Sequence, residues 1–174
     1  MHPLLLAGRL VKQICPSSAI GLAEEEITIP KWSSLEDEWS PRMLSVFRII
    51  IALLYLQHGT AKLFGFPHVA NFDNLQLLSL MGVAGVIEVL GSSLVALGLF
   101  TRPAAFILSG EMAVAYFMAH APHGFFPLLN RGEAAVFYCF AFLYLAVAGG
   151  GVWSLDRLRL SREASGALKP GGAR

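Results

Sequence analysis

Residues 48–65, RIIIALLYLQHGTAKLFG, decide how the chain is read. The stretch is apolar enough to cross a membrane, yet it opens on Arg48 and closes with His58 and Lys62. A helix advances about 100° per residue, so positions seven apart nearly superimpose. Arg48, Tyr55 and Lys62 are spaced in this way, and His58 and Gly59 fall in the same arc of roughly 100°. One stripe thus carries the polar groups that are least at home in lipid. Such a stripe must face other helices or a wet cavity, so the rest of the chain has to supply its partners.

Of the 174 residues, 55% are hydrophobic and 14% charged, against roughly 25% charged in soluble domains. Mean hydropathy is +0.60. The length suits one domain, but the apolar blocks are too long for a soluble core. A span needs about 20 mostly apolar residues, and segments near 43–64, 77–100, 103–120 and 133–153 qualify. The expectation is an all-α membrane protein, a four-transmembrane-helix bundle in contact with lipid. A net charge of +1 argues against a nucleic-acid partner. Cys15 and Cys139 are far apart, with Cys139 inside an apolar span, so no disulfide is expected, and no metal-ligand spacing exists. No phosphate-binding glycine loop and no serine or cysteine triad is present.

Residues 1–42 differ from the rest of the chain. They include Glu24-Glu25-Glu26 and Glu36-Asp37-Glu38 and show no sustained periodicity. The apolar run in MHPLLLAGRLVK is broken by Arg9 and Lys12 and is shorter than the 7–15 or so residues of a signal-peptide core. The stretch reads as a flexible or weakly amphipathic extension, and Met43 offers an alternative start that would leave it untranslated. At the other end, residues 157–174 carry Arg157, Arg159, Arg162, Lys169 and Arg174 among Gly, Ser and Pro. They read as a basic, disordered tail.

Each remaining span adds its own polar residues. Glu88 is the one charge in the second, on a face with Ala84, Gly85, Gly91 and Ser92. Small residues let a neighbouring backbone approach closely, so Glu88 points into the bundle. Thr101-Arg102-Pro103 is a short connection, which makes the second and third spans an antiparallel hairpin. The third carries Glu111, with Tyr116 and His120 on nearly the opposite face. Asn130 followed by Glu133 resembles a capping box at the head of the fourth span, which Gly149-Gly150-Gly151 and Trp153 close.

Four spans place both termini on one side. Ten Lys and Arg residues then lie on that side, or seven without residues 1–41, against Lys62 and Arg131 on the other. Positive charge stays cytoplasmic, which predicts both termini inside. At about 1.5 Å per residue, Arg48, Glu88 and Glu111 reach a common depth, predicting a buried charge network of these three.

These residues resemble the DoxX family of small four-helix bacterial membrane proteins. The resemblance rests on Arg48 in the first span with Gln57-His58-Gly59 and Lys62-Leu63-Phe64-Gly65, and on Glu88 with Gly91. It continues through Gly98-Leu99-Phe100-Thr101-Arg102-Pro103-Ala104-Ala105, and Tyr116 with His120. It ends with Phe126-Pro127-Leu128-Leu129-Asn130-Arg131-Gly132-Glu133 and Gly151-Val152-Trp153-Ser154-Leu155-Asp156. It covers residues 43–156 and leaves the first 42 outside. It implies an inner-membrane location and redox work at the quinone pool, in resistance to quinones, thiols and oxidants. It carries over no set of catalytic residues.

Ionisable groups in hydrocarbon cost about 2.5–3.5 kcal/mol each on insertion scales and are usually paired and functional; the alternative is a purely structural network that fixes helix packing. Tyr55, His58, Lys62, Tyr116 and His120 are the candidate quinone-binding residues, since a histidine donates to a carbonyl and exchanges protons near neutral pH. His58 and Lys62 read equally as residues snorkelling to the interface. Two histidines on different spans, His58 and His120, are too little to specify haem, so haem is not expected. The leading expectation is a quinone-linked redox subunit or accessory protein. Its rivals are a non-catalytic scaffold for soluble redox enzymes and a small transporter or proton pathway. Partners are then soluble redox enzymes, another membrane subunit, or copies of the same chain.

Overall fold

The computed structural model describes residues 32–167. The described residues from Ser34 onward form one compact unit. The described elements are helices α1 (Trp32–Phe64), α2 (Leu80–Leu97), α3 (Thr101–Ala115), α4 (Glu133–Ala148) and α5 (Leu155–Ala167). No strand occurs among the described residues. Asp37–Phe64, Leu80–Leu97 and Thr101–His123 are each long and apolar enough to cross a membrane, and Glu133–Ala148 is a shorter apolar helix. The protein is an all-α membrane protein built as a helical bundle.

The stripe on α1 is buried, with Ser45, Arg48, Ala52 and Tyr55 at 0% exposure and Ala61 at 4%. Its other side, with Ile50, Leu53 and Leu54, is open to lipid. α1 begins at Trp32, eleven residues before Met43, so residues 32–42 are helical where a flexible extension was expected. A Glu38–Arg42 pair at 2.8 Å links successive turns there, with the acid on the N-terminal side, the favoured order. The remainder of that extension lies outside the described residues. α1 stops at Gly65, whose φ of +64° a residue with a Cβ adopts only under strain.

Ser79 caps α2, its Oγ accepting from Gly82 N at 3.1 Å. At the far end Leu99 N bonds Leu94 O and Gly98 N bonds Val95 O, both at 3.0 Å, with Gly98 left-handed at φ 69°. That Schellman ending turns the chain at once into α3, giving the expected hairpin. A Cβ at Gly91 would lie 2.6 Å from a Leu108 methyl, so this glycine lets the two helices close.

α3 ends at Ala115 and widens into a π turn, Tyr116–His120, then a 3₁₀ turn, Ala121–His123. Ala121 N reaches back to Tyr116 O, and Pro122 has no N–H with which to continue the α pattern. α4 ends at Ala148 rather than near Trp153, because Gly149 and Gly151 take positive φ (87° and 73°).

The core joins α1, α2, α3 and α4 through Tyr55, Val95, Leu108, Phe142 and Leu145, all at 0% exposure. Tyr55 packs edge-on against Phe142 at 4.9 Å between ring centroids. Large apolar side chains on the outside, such as Phe106, Ile107, Phe140 and Val147, form the lipid-facing surface. Residues 157–167, expected in a disordered tail, belong to α5, Leu155–Ala167. Ser154 Oγ takes Arg157 N at 3.3 Å and starts the helix; residues 168–174 lie outside the described residues.

Candidate functional site

The polar stripe of α1 finds two separate sets of partners. Near its C-terminal end, Lys62 Nζ lies 2.6 Å from Glu88 Oε1, with side chains only 10% and 1% exposed. Two glycines make this approach. A Cβ at Gly59 would sit 3.0 Å from Glu88 Cβ and 2.9 Å from Val89 N, and one at Gly85 would sit 3.1 Å from Lys62 Cβ. Two turns deeper, Tyr55 Oη donates to Glu111 Oε2 at 3.4 Å. Tyr55 and Lys62 are seven residues apart on one face of α1, so the two pairs lie along one polar stripe and form one cluster. Glu88 Oε2 and Glu111 Oε1 are buried with no hydrogen-bond partner among the described residues. The cluster has an aromatic wall. His58 stacks on Tyr55 at 5.7 Å and meets Tyr138 edge-on at 5.6 Å. A cleft of about 280 Å³, between the end of α1 and residues 69–75, opens beside Lys62.

Arg48 is elsewhere. Its Nε donates to Gly150 O at 2.8 Å, Nη2 to Trp153 O at 2.7 Å, and Nη1 to the carbonyls of Val95 and Ala96. The guanidinium bonds four main-chain carbonyls and no carboxylate among the described residues. The expected network of Arg48, Glu88 and Glu111 is therefore corrected: the two glutamates meet Lys62 and Tyr55, and Arg48 does not join them. Along α2, Glu88 is seven residues from Val95, about 10 Å. The carbonyls at a helix C-terminus lack intrahelical donors and carry the negative end of the dipole, so they compete well for an arginine. A Cβ at Gly98 would lie 3.1 Å from Arg48 Cζ, which is why that turn has no side chain. Ser45 Oγ accepts from Trp153 N at 3.1 Å, so α1 holds the 149–154 turn at a second point.

Tyr116 and His120 form a third group. Their rings stack at 6.3 Å, Tyr116 Oη donates to Phe125 O at 3.4 Å, and His120 Nδ1 lies 3.1 Å from Asn130 O. Asn130 is buried, with Nδ2 donating to Gly124 O at 2.7 Å and Oδ1 accepting from Gly132 N at 2.8 Å. This group fixes the 124–132 loop. The capping box is not formed: the N-cap of α4 is Gly132, with no side-chain cap. Asn130 closes the turn before it, and Glu133 is the exposed first residue of the helix. Of the candidate quinone-binding residues, the structure brings Tyr55, His58 and Lys62 together; Tyr116 and His120 bond the loop instead.

Two contributors carry no clear signal in the sequence. Tyr138 reads as generic packing in a Phe- and Tyr-rich helix. Asp156 accepts from Phe100 N at 2.8 Å and Thr101 N at 2.9 Å, and its own N bonds Gly98 O at 2.9 Å. It thereby caps α3 from fifty-five residues away. Partial burial pushes its carboxyl up, but the N–H groups of Thr101 and Phe100 outweigh this and hold it below the ordinary value. Nothing in local spacing marks such a cap.

Known proteins are similar to this chain in sequence. The DoxX family model matches residues 43–121. A protein of Haemophilus influenzae described as uncharacterised is 47% identical over 124 residues, 69% of this chain and 92% of the relative. The inner membrane protein YphA of Escherichia coli is 31% identical over 137 residues, 67% of this chain and 90% of that protein. An uncharacterised membrane protein of Mycobacterium tuberculosis is 26% identical over 152 residues, 78% and 92% of the two chains. No solved structure matches. With Arg48 and the glycines at 59, 85, 91 and 98 inside the residues that the family model matches, and a relative 47% identical over 92% of its own length, the chain belongs to the DoxX family of membrane proteins.

Proposed function

We propose that this chain is an inner-membrane, quinone-linked redox subunit or accessory protein, and that the Lys62–Glu88–Tyr55–Glu111 cluster is where a quinone head group is held. The observation behind it is the pair of buried carboxylate oxygens, on Glu88 and Glu111, that have no partner among the described residues. Buried polar groups are nearly always hydrogen-bonded, and each unmet one in hydrocarbon is costly. A quinone gains two protons when two electrons reduce it, at its two carbonyl oxygens. Lys62 Nζ and Tyr55 Oη are donors for such oxygens, and the carboxylates are proton acceptors or, once protonated, donors. The ring would lie against the His58 and Tyr138 rings, which favour offset or edge-on contact. The apolar tail would run along the lipid-facing side of the bundle. Electrons come from a partner, a soluble redox enzyme or another membrane subunit.

The test is the quinone content of protein purified from membranes, extracted and quantified by chromatography. The wild type should retain quinone near stoichiometrically, and Glu88→Gln and Tyr55→Phe should lose most of it while staying folded. A content no higher than that of an unrelated membrane protein in the same detergent would overturn the proposal.

A further inference from the structure

A cleft of about 540 Å³ lies where the α2–α3 turn meets the 149–154 turn and the start of α5. Three arginines line it: Arg102, Arg157 and Arg159. None of the three makes an ion pair among the described residues. Two carboxylates line it as well. Asp156 accepts hydrogen bonds from the N–H groups of Phe100 and Thr101, and Glu163 is exposed. Arg159 is braced on the Phe100 ring at 5.1 Å. A Cβ at Gly149 would lie 3.4 Å from Arg102 Nε, an ordinary contact distance, which puts that guanidinium against the glycine turn. Thr101 is wholly buried and lines the cleft.

We infer that this cleft binds the phosphate of an acidic phospholipid. Guanidinium forks match phosphate oxygens, two N–H groups to two oxygens. Basic pockets at the ends of membrane helices are suited to anionic head groups. The lipid source is favoured over a free phosphate by what adjoins the arginines. Phe100, at 53% exposure, and Leu160, at 67%, line the cleft, and the helices that lead away from it carry Phe106 at 65% and Val147 at 72%. A head group in the cleft would thus have its acyl chains alongside apolar surface that already faces lipid. The site is separate from the Lys62 cluster and takes a different ligand.

The experiment uses the full chain, purified and delipidated in neutral detergent, with thermal unfolding as the readout. Three probes are added: phosphatidylglycerol, phosphatidylcholine and inorganic phosphate. Phosphatidylglycerol at about a hundred-fold excess over its Kd should raise the melting temperature by at least about 5 °C. Phosphatidylcholine and inorganic phosphate should not. In the triple variant R102Q/R157Q/R159Q the phosphatidylglycerol increment should vanish. These arginines are exposed, so its melting temperature in phosphatidylcholine should match the wild type. Should the triple variant not fold, each single Arg→Gln variant must lose part of the increment. Equal stabilisation by both lipids, or an increment that survives the substitutions, would overturn the site. Full stabilisation by inorganic phosphate alone would overturn the lipid as its occupant.

Discussion

Arg48 and Lys62 lie on one stripe of α1, fourteen residues or about 21 Å apart, and differ in what they bind. Arg48 meets main-chain carbonyls, so its part is to fasten α1 to the end of α2 and to the glycine turn. Arg48→Gln should leave most of those acceptors unmet and cost roughly 3–5 kcal/mol, as loss of a buried charged partner does. Unfolding in detergent should show the loss, while quinone retained per folded chain stays as in wild type. A drop in quinone content without a drop in stability would place Arg48 in the site after all. Lys62 meets a carboxylate. Lys62→Met leaves Glu88 buried with its charge unmatched, again about 3–5 kcal/mol, whereas Lys62→Met with Glu88→Gln should recover most of that stability. If the pair binds quinone, the double variant regains its amount in the membrane but not its quinone. Recovery of both would make the pair structural only. The stripe itself was legible in the sequence because helical periodicity is a local property. Which acceptor each cation would take was not, because main-chain carbonyls at helix ends leave no trace in residue identities.

The ends of the helices, more than their middles, separate sequence from structure. The apolar blocks located four helices, and the glycines and prolines marked where they stop. The helical segment before Met43 was not legible, because charge and a Glu38–Arg42 pair replace hydrophobic periodicity there. Asn130 and Glu133 have the spacing of a cap for α4, whereas the Asn130 side chain closes the 130–132 turn that directly precedes the helix. The head of α3 is capped by Asp156 across the chain, a long-range contact that only the fold creates. That cap has a pH signature. Because the folded carboxyl titrates below its ordinary value of 3.8, its contribution is present above that value. It is lost as pH falls through the lower, folded pKa. Asp156→Asn should lower stability at neutral pH by about 1 kcal/mol, as loss of a helix cap does. Its melting temperature should also fall less steeply than the wild type's below about pH 4. Parallel acid profiles for the two proteins would show that the carboxylate does not carry the cap.

At the scale of the whole molecule, the bundle has one end tied by short turns and another built from loops. The tied end holds Gly98–Thr101, the glycine turn and Asp156; the loop end holds residues 65–79 and 121–132. Basic residues are uneven between them. Arg102, Arg157, Arg159 and Arg162 belong to the tied end or the helix that leaves it, while Arg131 lies in a loop at the other. Lys62, also toward the loop end, is paired with Glu88 and nearly buried, which leaves Arg131 as the exposed basic residue there among those described. The asymmetry is thus sharper in the structure than the count of seven against two in the sequence. Since basic segments resist translocation, we propose that the tied end faces the cytoplasm, with both termini there and the Lys62 cluster toward the outer half of the membrane. A reporter that fluoresces only in the cytoplasm, fused after Arg174, should be bright. The same reporter after Leu129, in the opposite loop, should be dark at equal expression. Reversal of the two signals would invert the orientation, and with it the side from which a quinone's protons are exchanged.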